Sequence, residues 1–226
     1  MNKVNNSISI GLASLFLIAS FTSIQARPIA DRVERAQEVL INRQTALIPV
    51  SQWILEKSKC IGAIRVVKAG FMWGGQGSTG LVSCRTEENE WSMASFMQVS
   101  GVNWGFQIGI QFMESVMLFI SDQARQLLNH FSFQVGSDIG VAVGPVGGGS
   151  DAGVMPKAGI LTYDRSVGLY AGTTFNGSII SHMPRLNKEA HGCAIDGKDI
   201  LKTNGSDSPD ILKAFDKTLN LYFPTR

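Results

Sequence analysis

Histidine and cysteine are scarce in this chain of 226 residues, three of each. His130, His182 and His191 have no Gly-x-Ser-x-Gly elbow to work with, and no pair of carboxylates sits in an apolar setting. The nucleophile–base and acid–base sets of hydrolases are therefore missing, so no catalytic residue is expected and the chain reads as non-enzymatic. Cys60, Cys84 and Cys193 form no Cys-x-x-Cys, and Cys193 with His191 alone is too small a set for zinc; neither a metal nor a cofactor is expected. Charge of one sign is lacking as well. Twenty basic and 18 acidic residues leave +2, without the basic stripe of a nucleic-acid binder.

Long apolar runs are limited to Ile8–Phe21. The run follows Lys3 and leads into the small-residue exit Ser23–Ala26, so residues 1–26 read as a secretory signal peptide cleaved after Ala26. The rival is an uncleaved anchor, but Ser9, Ser14, Ser20 and Thr22 dilute the run below the ~20 apolar residues a span prefers. An exported protein is expected, periplasmic or secreted, with peripheral attachment to an outer membrane as one form. Export permits one disulfide with one thiol left over. If Ile61–Phe71 and Gly80–Arg85 pair as a hairpin, Cys60 and Cys84 meet near its open end; three reduced thiols is the other reading.

Glycine is what the chain has in quantity. Twenty of 24 glycines lie between Gly62 and Gly177, inside strand-like blocks at 68–85, 90–96, 104–111, 141–148 and 163–178. At this density glycine marks bends and close backbone approach in a sheet. Phe106, Ile108, Ile110 and Phe112 alternate with Gly105, Gln107, Gly109 and Gln111, a strict period of two. Gly75-x-Gly77-x-x-Gly80 matches the dinucleotide fingerprint, but a strand-like Leu81–Arg85 follows where a helix is required. Gly144–Gly153 lacks the Gly-Lys-Ser/Thr ending of a phosphate loop.

Helical spacing appears at both ends. Ile29, Val33, Ala36 and Leu40 predict an amphipathic helix within 27–47, and a short helix is expected over 51–59. Ser121-Asp122 caps another, reaching Asn129. Residues 158–165 and 168–176 read as a hairpin turning at 166–168. A polar linker over 196–208 precedes a docked helix from Pro209, with Ile211, Leu212, Phe215 and Leu219 as its stripe.

Lys68-Ala69-Gly70-Phe71, Gly77 and Gly80 before Leu81-Val82, Trp91-Ser92 with Phe96, Gly105 with Gln107 and Gly109, Gly144-Pro145-Val146-Gly147, and Tyr163 with Arg165, Gly168, Leu169, Gly172 and Gly177 occur in this order. From about residue 48 to 191 the chain resembles the SYLF domain, a lipid-binding module, here in a bacterial secreted form. The resemblance implies binding of anionic phospholipid or membrane surface, and makes the 29–40 helix either a membrane contact or a cover for the sheet. Lys68, Arg85, Lys157 and Arg165 are the expected headgroup contacts, and Trp73 and Trp104 the expected interfacial rings. The alternative is an envelope protein-interaction module without a lipid site. The expected fold is α+β, a twisted antiparallel sheet curled toward a barrel or sandwich and covered by short helices. Residues 48–192 form the domain proper, with 193–226 packed on it.

Overall fold

The computed structural model describes residues 28–46, 49–144, 158–167, 175 and 177–224; within 68–76, 102–111, 143 and 166–167 it describes the backbone alone. The expectations for the signal peptide, for Lys157 and for most of the 144–153 loop and the 168–176 strand lie outside these residues.

Helix α1 (Ile29–Gln44) follows the apolar period read from the sequence and buries Arg32, Val33, Ala36, Val39 and Leu40 along one stripe. Helix α2 (Gln52–Lys57) is shorter and buries Ile54 and Leu55. Two strands of 25 residues each follow, β1 (Cys60–Cys84) and β2 (Ser95–Phe119). They pair antiparallel from Cys60↔Phe119 to Val82↔Ser95, across a turn in which Asn89 takes φ 61°. Asn is among the few side chains that tolerate that region.

β1 curls back on itself. At ~3.3 Å per residue a straight strand of this length would span roughly 80 Å, yet Cys60 and Cys84 are joined by a disulfide with their Cα atoms 3.9 Å apart. The Arg85 N–H donates to the Lys59 carbonyl at 2.8 Å beside it. Gly80 permits the closure: a Cβ there would collide with the Ala63 carbonyl oxygen and Ile64. The expected hairpin of 61–71 with 80–85 is thus replaced by one strand, both of whose ends pair with β2. Its glycines let it bend without breaking. Gly75 and Gly77 lie within it and no helix follows.

The other edge of β2 is shared. Phe112–Phe119 pairs with β5 (Ile160–Val167), and Met97–Ser100 with β6 (Ile179–His182). β3 (Ser132–Gln134) flanks β6, and β4 (Val141–Val143) runs parallel to β5. Among the described residues these six strands form one sheet, antiparallel apart from β4 against β5, and the class is α+β.

Alternation sends the sheet's side chains into two cores. Ile61, Ala63, Val116, Leu118, Leu161 and Tyr163 pack under α1 and the C-terminal helix. Cys60, Ile64, Met113, Met117, Phe119 and Ile160 join Phe133, Val135 and Ile180 in the second. Helix α3 (Asp122–Leu127) is capped as expected, the Ser121 hydroxyl accepting from the Ala124 N–H at 3.0 Å. Helix α4 (Pro184–His191) stops at Gly192, whose φ of 72° suits glycine.

Two C-terminal expectations change. Residues 196–208 hold helix α5 (Gly197–Ile200) and a 3-10 turn, with Ile200 and Leu201 buried, so they are anchored instead of a polar linker. Helix α6 (Lys213–Tyr222) starts later than Pro209, because the Leu212 N–H closes a separate turn onto the Pro209 carbonyl at 2.8 Å. Leu212, Phe215 and Leu219 are fully buried. Gln37 donates to Thr218 Oγ1 at 2.9 Å and Gln44 to the Tyr222 carbonyl at 3.0 Å, tying α6 to α1. Among the described residues no helix is long and apolar enough to cross a membrane.

Candidate functional site

Register sets Arg65 of β1, Glu114 of β2 and Arg165 of β5 side by side on the helix-covered side of the sheet. Opposite charges in neighbouring positions attract across strands. The Glu114 side chain is 16% exposed and engaged at both oxygens: Asn42 of α1 donates to Oε2 at 3.0 Å, and an Arg65 nitrogen lies 3.4 Å from Oε1. Glu38 stands 3.9 Å from the same guanidinium.

Past this row the helix and the sheet part around a cavity of about 260 Å³. Arg32 and Arg35 enter it from α1, Arg65 and Val67 from the start of β1, Thr79 from the end of β1, and Phe112 from β2. The curl of β1 builds this wall by bringing residues 65–67 and 77–79 of one strand to the same opening. Arg32 is buried and donates to Thr79 Oγ1 at 2.8 Å. Arg35 donates to Asp31 at 3.0 Å, which holds its pKa above the usual guanidinium value, with the Asp31 charge adding to that hydrogen bond and burial working against it. Phe112 is 50% exposed, so cations face an apolar rim.

On the other side of the row a second cavity, about 150 Å³, holds Arg43, Tyr163, Asp164 and Arg165. The Arg43 guanidinium lies 4.7 Å over the Tyr163 ring. Burial pushes the Tyr163 phenol up to about 12 against the opposing pull of Arg43, and burial lowers the Arg43 pKa. Gly144 backs the ring, where any Cβ would overlap it.

Of the residues expected from the sequence, Arg165 lines the second cavity. Lys68 follows Val67 in β1 opposite Gln111, and Trp73 stands opposite Trp104; the side chains of these residues are not described. Arg85 is elsewhere. Its guanidinium donates to the Ser58 carbonyl at 3.0 Å and the Leu55 carbonyl at 3.4 Å and stacks 4.6 Å from the Trp91 ring, clamping α2 to the end of β1 while burial lowers its pKa. Arg32, Arg35 and Arg65 were not singled out by sequence. The available signal was Arg32, a charge within the apolar stripe of α1.

A further polar cluster contains a serine beside a histidine. His182 Nε2 donates to the Leu128 carbonyl at 2.8 Å, leaving Nδ1 of the neutral ring to accept from Ser95, 3.1 Å away. Asn187 donates to the same serine at 3.1 Å and accepts from the Phe96 N–H at 2.7 Å. Ser95 and Asn187 are completely buried, and burial lowers the His182 pKa despite the Leu128 and Asp196 contributions. No substrate reaches this serine; the cluster ties α4 to β2 and β6. Among the described residues no three metal-binding side chains gather.

No solved structure matches the chain. Similarity is found to Protein YSC84 of Saccharomyces cerevisiae, 27% identical over 157 residues, covering 67% of this chain and 34% of that protein. It is found also to SH3 domain-containing YSC84-like protein 1 of Homo sapiens, 30% over 151 residues, covering 66% and 44%, and of Bos taurus, 28% over 175 residues, covering 75% and 51%. The chain thus spans about a third to a half of these relatives. The family described as Las17-binding protein actin regulator, Ysc84, matches residues 100–222. The residues of the first cavity except Phe112 precede that segment, whereas Tyr163, Asp164 and Arg165 of the second lie within it. It is nonetheless more than half of the chain, and the chain belongs to the Ysc84 family, whose domain is also called SYLF.

Proposed function

We propose that this chain binds anionic phospholipid at a membrane surface, without catalysis, through the cavity between α1 and the curled sheet. The observation that carries this reading is the meeting of Arg32, Arg35 and Arg65 with the half-exposed Phe112 at one opening. Guanidinium forks match phosphate oxygens, and an aromatic ring beside them suits the boundary between headgroup and acyl chain. Arg165 at the second cavity extends the same surface in this reading, and Trp73 and Trp104 lie further along the β1–β2 ribbon. The family match supports a binding role, since its relatives are named for binding and regulation. An exported protein, released by removal of residues 1–26, would meet the outer surface of a membrane.

A protein-interaction reading stands second, favoured by relatives named Las17-binding. Co-sedimentation with phosphatidylglycerol vesicles separates the two. Charge reversal by Arg35→Glu with Arg65→Glu is expected to weaken partitioning at least about tenfold, or ~1.4 kcal/mol, with circular dichroism and melting temperature as the check on folding. Unchanged partitioning would leave the protein-interaction reading.

A further inference from the structure

The headgroup can be narrowed from the cavity itself. Three guanidiniums, Arg32, Arg35 and Arg65, line it together with Thr79. A phosphodiester has two unsubstituted oxygens, which one bidentate guanidinium engages together. A phosphate monoester has three, and carries about −1.5 to −2 charges at neutral pH. Three cations in one small space match the monoester and leave a diester with forks to spare.

The local charge points the same way. Arg35 is countered by Asp31, and Arg65 by Glu38 and Glu114. The carboxylates cancel most of the field that would draw the protein to any negative surface, so discrimination falls to contact geometry. Size completes the case. At about 260 Å³ the cavity is smaller than the roughly 300–1,000 Å³ of sites that enclose a drug-sized ligand, the scale of a phosphate with its glycerol and not of a whole lipid. Phe112, half exposed, and Val67 give the cavity an apolar lining beside its arginines.

We propose that the cavity selects lipids whose phosphate is a terminal monoester carried directly on glycerol, with the acyl-glycerol laid over Phe112. The proposal rests on the lipid-binding reading and names its ligand class.

The test compares vesicles of phosphatidic acid and of phosphatidylglycerol in neutral lipid, mixed to equal zeta potential. Partitioning is expected to be at least about tenfold stronger on phosphatidic acid. Arg35→Lys and Arg65→Lys each keep the charge but lose the fork, and are expected to narrow the ratio to roughly threefold or less. Equal partitioning of the wild type on both vesicles would overturn the inference while leaving lipid binding intact; no partitioning on either would overturn both. In calorimetry, short-chain phosphatidic acid below its micelle concentration is expected to bind at least about tenfold tighter than glycerol 3-phosphate, because the apolar rim is then used. Equal affinities would make this a site for a soluble phosphate and overturn the lipid assignment.

Discussion

Ser95, His182 and Asn187 answer one another's hydrogen bonds inside the protein, whereas Arg32, Arg35 and Arg65 line a cavity open to the outside. Both sets join distant stretches of chain. Both contain the residue types from which function is usually read. The difference is in what is left over: the histidine cluster spends its polar atoms on Phe96, Leu128 and itself, and the arginines are held by carboxylates and a hydroxyl while still facing the opening. A serine beside a histidine is therefore scaffolding here, and salt-bridged arginines on a helix flank are the site we propose.

Breaking the sealed cluster should have the largest effect on stability. Asn187→Leu strands the Phe96 N–H and removes a donor to Ser95, and is expected to cost about 4 kcal/mol of unfolding free energy, read by urea denaturation. Vesicle binding by the folded fraction should be unchanged, and a selective loss of binding would show that the two clusters are coupled.

The cavity depends instead on the curl of β1. Replacing both Cys60 and Cys84 by serine opens a loop with a sequence separation of 24 and should cost about 3 kcal/mol on the chain-entropy estimate. Because residues 65–67 and 77–79 share the cavity wall, this variant should also lose lipid affinity before it unfolds, a loss Asn187→Leu should not show. Melting curves with and without reductant, run beside co-sedimentation, distinguish the two.

Asp216 belongs to neither arrangement, being sealed and unanswered. Neither carboxylate oxygen makes a hydrogen bond of ordinary geometry, although the Ser208 hydroxyl is near, and burial raises its pKa to about 6, with Ser208 pulling the other way. The native state thus holds this proton more tightly than the unfolded chain. The stability it contributes is complete below the unfolded value near 4 and is lost as pH rises through about 6. Asp216→Asn should then stabilise by about 2 kcal/mol at pH 7.5 and by nothing at pH 4. His182 has the opposite sign: its lowered pKa removes stability as pH falls below about 6.5. Melting temperatures across pH 4–8 should therefore show the Asp216→Asn advantage growing with pH, and a constant advantage would mean the carboxyl is not the titrating group.

Local signals made α1 and α3 legible, the apolar period in the first and the Ser121 cap in the second, because each acts within a turn or a few turns. The 25-residue strands were not. Gly74, Gly75, Gly77 and Gly80 imitate a turn, and only the pairing of 73–77 with 100–104 reveals that the strand continues. The candidate site was hidden for the same reason. Arg35 looks like the wet side of an amphipathic helix, and Arg32 like a stray charge in its apolar stripe, until the curl of β1 delivers Arg65 and Thr79 to them. Arg85 misled in the other direction, since a basic residue beside a family block turned out to be packed on Trp91.

Between Phe71 and Trp73 of β1 a single residue, Met72, stands against three on β2, Gly105 to Gln107, an excess of two. Side chains alternate with period two, so an even excess returns every later residue to the face it would have had, whereas an odd one would have exchanged the two cores beyond that point. The ribbon can consequently change length in its middle by pairs of residues on one strand without moving Thr79 away from Arg65. A single inserted residue between them would turn Thr79 to the opposite face and leave the cavity without one of its walls.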